Sequence, residues 1–112
     1  MGKRIYLSVS LCACLAAPAQ AAARWTFCAG AALESRDIWI SEVFATTSDR
    51  DRLEGELKHL LQSQGVAHVV AQCPTPLPDK TAVVNAQIDA EAFNKRLNNS
   101  LHAVSAQEFP PR

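Results

Sequence analysis

An export signal at the front of this chain limits what can fold, and where. Lys3 and Arg4 form a short basic start, and Ile5 to Ala17 carry no charge. Ala19-Gln20-Ala21 supplies the small-x-small pattern after which signal peptidase cuts, with Pro18 ending any helix just upstream. The stretch is shorter than the ~20 apolar residues that a membrane span needs. Residues 1–21 are therefore expected to be removed. Residues 22–112 remain as one small domain, periplasmic or secreted. A domain of that size buries a modest share of its surface and benefits from a covalent staple.

Cleavage leaves two of the four cysteines, Cys28 and Cys73. An even count in an exported chain predicts one disulfide between them. Catalytic dithiols sit close together at a helix start, where the thiolate is stabilised, whereas these two lie far apart on predicted strands, so the bond is expected to be structural. A second reading of the front end competes. Leu11-Cys12-Ala13-Cys14 resembles the bacterial lipobox, which implies a lipoprotein anchored through Cys14.

Without Lys3 and Arg4, nine basic side chains face eleven acidic ones. Arg50 and Arg52 alternate with Asp49 and Asp51, and Lys95-Arg96 stands alone. Nucleic-acid binding requires clustered Lys and Arg against phosphates; that partner class is excluded, and anionic membrane surfaces are disfavoured on the same ground.

Alternation predicts a first strand over residues 25–31, with Trp25, Phe27 and Ala29 on one face and Thr26, Cys28 and Gly30 on the other. Ile38 to Ala45 reads as a second strand, apolar on both faces. Ser48 is positioned to cap a helix whose Leu53, Leu57, Leu60 and Leu61 form one stripe. Glu54 and Lys58 make a favourably ordered pair on its wet side, and Gly65 suits its C-terminal cap. Residues 66–72 form a third strand, followed by the extended loop Pro74-Thr75-Pro76-Leu77-Pro78. Asp79 caps a second helix carrying Val83, Ala86, Ala90, Phe93 and Leu97, which Asn98-Asn99-Ser100 ends. Residues 103–109 complete the set.

The order ββαβαβ predicts an α+β two-layer sandwich: a four-stranded mixed sheet with both helices on one face, because each crossover is right-handed. Placing the first strand between the second and third, antiparallel to both, gives the strand order 2-1-3-4 and lets Cys28 approach Cys73.

Chemistry is sparsely marked. His59, His68 and His102 lack any metal-ligand spacing such as HExxH, so no metal is expected. No glycine-rich phosphate loop, nucleophile elbow or cofactor motif occurs. Glu42, flanked by Ile40, Val43 and Phe44, is the one carboxylate whose surroundings could raise its pKa. A small periplasmic hydrolase using Glu42 with a histidine is accordingly the enzymatic alternative.

Trp25-Thr26-Phe27-Cys28-Ala29, Ile38-Trp39-Ile40-Ser41-Glu42-Val43-Phe44 and Ala71-Gln72-Cys73-Pro74 together resemble small exported proteobacterial proteins of unknown function. Phe44 with the leucine helix, Gly65 and Ala67-His68-Val69-Val70 resembles half of a SPOR domain, which implies peptidoglycan binding. A SPOR domain runs βαββαβ, however, and here the extra strand precedes the first helix. With both helices on one side, an aromatic of the second strand, Trp39 or Phe44, must point to the open face. The leading expectation is a non-enzymatic interaction module that binds a protein or cell-wall partner there.

Overall fold

The computed structural model describes residues 22–111; the expected export signal and the alternative anchor at Cys14 fall outside the described residues. Its elements are β1 (Arg24–Thr26), β2 (Ala29–Ala32), β3 (Asp37–Ser41), β4 (Phe44–Thr46), α1 (Arg50–Ser63), β5 (Val69–Gln72), α2 (Lys80–Arg96) and β6 (Ser100–Val104). The fold is α+β, with two helices and a mixed four-stranded sheet ordered β5-β2-β3-β6. A separate two-stranded ladder joins β1 to β4.

Each of the first two expected strands is thus two strands. The breaks fall opposite one another, at Phe27-Cys28 and Glu42-Val43. There the Cys28 N–H donates to Ser41 Oγ, the Ser41 N–H donates to the Cys28 carbonyl, and Thr26 Oγ1 donates to the Pro74 carbonyl. Side chains take over backbone pairing where the chain changes sheet. The expected last strand moves too: pairing begins at Ser100, and Phe109 fills the core from a turn.

Both helices end as their sequences dictate. Asp49, rather than Ser48, caps α1 by accepting the Arg52 N–H at 2.8 Å, and Asp79 caps α2 through Thr81. Gly65 (φ 96°) and Asn98 (φ 60°) occupy the left-handed position beyond each helix. Around them, the Gly65 and Val66 N–H groups bond the Gln62 and Leu61 carbonyls, while Asn98 and Asn99 bond those of Lys95 and Asn94. Each pair is a Schellman closure. The expected Glu54–Lys58 pair is replaced: Glu54 lies 4.0 Å from Arg50 and accepts the Cys73 N–H at 2.9 Å.

The first strand does lie between the second and third, antiparallel to both. The last strand was expected beside the third; β6 instead pairs parallel with β3 at the opposite edge. That difference relocates a helix. The chain crosses from β3 over β2 to β5, then returns across the sheet to β6. Two crossovers of one hand in opposite directions place their helices on opposite faces, so the helices do not share one side.

Packing follows this division. Leu53, Leu57 and Leu61 of α1 pack with Val69, Val104 and the Cys28–Cys73 disulfide on one side. Val83 and Ala90 of α2 pack with Phe27, Ile38 and Ile40 on the other. Burying each α1 leucine contributes about 1.5–3 kcal/mol. Among its residues α2 buries fully only Val83, so it is the more lightly held layer. No helix among the described residues is long and apolar enough to cross a membrane.

Candidate functional site

On the α2 side the sheet is half covered. Helix α2 packs against β1, β3 and β6, and its Glu91 and Lys95 stand over β6 beside Leu101. At 100° per residue, Ala86, Phe93 and Leu97 project from the opposite flank, toward β2 and β5. Leu97 is placed there by its carbonyl, which accepts from Arg36 Nη1 in the β2–β3 turn at 2.9 Å.

Between that flank and β5 runs an apolar groove. One stretch, about 390 Å³, is floored by Ala29, Ala31 and Ile38 and walled by Val70 and Asn94. A second, about 590 Å³, continues past Phe27, Ala90 and Gln72 to Arg50 and Glu54. The two share Ala29, Val70 and Gln72. The small side chains of Ala29 and Ala31 give the groove its depth. Leu33 (66% exposed) and Val70 (43%) line it, and Phe93 (52%) and Leu97 (47%) are exposed on the α2 flank that turns toward it. Beyond it, β5 is an edge strand, paired among the described residues with β2 alone.

The two aromatics expected to mark the binding face lie elsewhere. Phe44 is buried, edge-on to Phe109 with ring centroids 5.5 Å apart. The break at Glu42-Val43 resets the alternation, so Trp39 and Phe44 enter the same core region on the α1 side. Trp39 is half-buried and stacks on His102 at 5.0 Å. It lines a cleft of about 320 Å³ with Glu34, Asp37, Gln64 and His68.

The histidines meet carboxylates, though not the expected one. His68 Nδ1 pairs with Glu34, and His102 Nε2 lies 2.8 Å from Asp37 Oδ1. Ser35 Oγ donates to the other Asp37 oxygen at 2.7 Å. These two hydrogen bonds, the one from His102 foremost, hold the Asp37 carboxyl below its ordinary value. Glu42 is exposed and accepts the Ala106 N–H at 2.7 Å, so it bonds backbone rather than a histidine. Ser35, Asp37 and His102 do not form a nucleophile–base pair, because serine and histidine both bond the carboxylate and not each other. His59 is exposed on α1, and no cluster of potential metal ligands occurs among the described residues.

The groove was legible only in part. The run of small residues in β2 and the stripe Val83, Ala86, Ala90, Phe93, Leu97 are plain in the sequence, but that stripe reads as wholly buried. No protein-family model, curated protein or solved structure matches the chain.

Proposed function

We propose that this protein is an exported, non-enzymatic interaction module that docks a protein partner in the groove between α2 and β5. The uncovered half-face carries the reading. Exposed Leu33 and Val70 border a floor of small side chains, exposed Phe93 and Leu97 stand on the facing flank of α2, and an apolar patch rimmed by polar groups is the usual mark of a docking surface. Export is supported by the signal-like residues 3–21 and by the disulfide, which suits an oxidising compartment.

A photo-crosslinking amino acid at Val70, with Lys58 on the exposed side of α1 as the control position, tests this in cells. One discrete adduct from Val70 and none from Lys58 is expected. Equal crosslinking from both positions, or none from Val70, would remove the groove from consideration.

A cell-wall ligand is the second reading, and it rests on Trp39. A half-buried indole beside Glu34 and Gln64 offers an apolar ring surface next to hydrogen-bonding groups, the combination that suits a saccharide. Titration of muropeptides against the fluorescence of a Trp25→Phe variant, in which Trp39 is the remaining indole after cleavage, would detect it.

A further inference from the structure

We infer that the occupant of the groove is an amphipathic α-helix with an acidic flank, lying over β2 and β5 beside α2. This rests on the reading of the groove as a docking site and adds the form and charge of the ligand.

The form follows from widths. Neighbouring strands lie about 4.8 Å apart and a helix with its side chains is about 10 Å across, so one helix covers about two strands. On the α1 side a helix covers one half of the sheet and side chains partly fill the other. Helix α1 lies over β5 and β2. The other half holds the Trp39–His102 stack and Val104, with Phe109 packed into the same core. On the α2 side, α2 lies over β3 and β6, and no helix among the described residues lies above β2 and β5. The missing layer is one helix wide. Ala29 and Ala31 on its floor allow a helix backbone to approach closely, Leu33 and Val70 are placed to close on an apolar stripe, and Phe93 and Leu97 are exposed on the adjoining flank of α2. A strand added at the β5 edge would lengthen the sheet and leave this floor bare.

The charge follows from the rim. Arg36 spends its guanidinium on the Leu97 carbonyl and Asn99, and Arg96 lies 5.8 Å over the Phe93 ring. Neither is in an ion pair with a carboxylate among the described residues. At the far end Arg50 reaches Glu54 only at 4.0 Å. Basic groups without a carboxylate partner thus stand at the Leu97 end of the apolar trough, while Glu54 accompanies Arg50 at the far end, and the Leu97 end complements Glu or Asp along the side of a helix.

The test uses three synthetic probes on the oxidised protein: a Leu/Glu amphipathic helix peptide, the same peptide with Lys for Glu, and an extended alternating Val/Glu peptide. Binding is read by amide chemical shifts and fluorescence anisotropy. The Leu/Glu peptide is expected to gain helical circular dichroism on binding and to shift Ala31, Leu33, Val70 and Asn94. It should bind at least tenfold more tightly than the Lys peptide and weaken as salt rises. Leu33→Asp and Val70→Asp should each lower affinity at least tenfold; Leu33 is exposed enough that its replacement leaves folding intact. Equal or tighter binding of the Lys peptide would overturn the inference. So would preferential binding of the extended peptide along β5, concentration-dependent self-association through the groove, or the absence of groove shifts with every probe. Crosslinking from Val70 in cells alongside any of these would leave the docking reading standing without the helix.

Discussion

Cys28 and Ser41 hold each other through two hydrogen bonds of 2.9 Å, Cys28 N–H to Ser41 Oγ and Ser41 N–H to the Cys28 carbonyl. Both residues are fully buried. Here the paired strands leave one sheet and enter the other, and the serine hydroxyl replaces a lost ladder partner.

Replacing Ser41 by alanine therefore strands a buried backbone N–H on Cys28. A loss of about 1–3 kcal/mol is expected, read as a lower urea midpoint with an unchanged slope. A variant as stable as the parent would mean that the hydroxyl is dispensable and the strand break has another cause.

Gly30 faces α1 so closely that an added Cβ would lie 2.5 Å from Leu61 Cδ1, with Val69 Cγ2 at 3.5 Å. Leu61 is fully buried, so its side chain has to shift within the core. Gly30→Ala should cost about 1–3 kcal/mol through overpacking. Leu61→Ala alone should cost about 2–5 kcal/mol. The double variant should be more stable than the sum of the two losses, since the new methyl enters the space the leucine vacates. Simple additivity in denaturation would contradict this contact.

The Cys28–Cys73 bond closes a loop of sequence separation 45. Replacing both residues by alanine should lower stability by up to about 4 kcal/mol, seen as a large drop in melting temperature. The disulfide is buried beneath α1 and touches only the far stretch of the groove through Cys73, apart from the stretch floored by Ala29, Ala31 and Ile38, so binding at low temperature should persist in the double variant. Loss of binding with folding intact would give the bond a functional role.

Asp37 makes the pH dependence explicit. Its folded carboxyl lies below the ordinary 3.8 because His102 and Ser35 donate to it. A depressed carboxylate contributes stability that is present above 3.8 and is lost as the pH falls through the lower, folded value. A carboxyl-detected NMR titration should place the Asp37 midpoint below 3.8, and His102→Ala should move it upward. An unmoved midpoint would show that the His102 contact does not persist in solution.

Residues near in sequence specify most of the local structure. Leu53, Leu57, Leu60 and Leu61 pack as one face of α1, Gly65 takes its left-handed position, and Asp79 caps α2. The Cys28–Cys73 pairing is likewise legible, because only two cysteines remain beyond the signal-like segment. Trp39 and Phe44 were less readable. Their parity along one continuous strand puts them on opposite faces, yet the Cys28–Ser41 contact breaks that strand and brings both to the α1 side.

The sequence by itself determined the helices, the caps at Gly65 and Asp79, the disulfide partners and the α+β class, since each depends on periodicity or composition over a few turns of chain. Only the tertiary structure decided which edge β6 occupies. That choice reverses the second crossover, sends α2 to the opposite face and leaves β2 and β5 half-covered. The pairing of β6 with β3 joins residues more than sixty positions apart, and no local pattern in Ser100–Val104 states which of the two edges it will join. The groove exists because of that long-range choice.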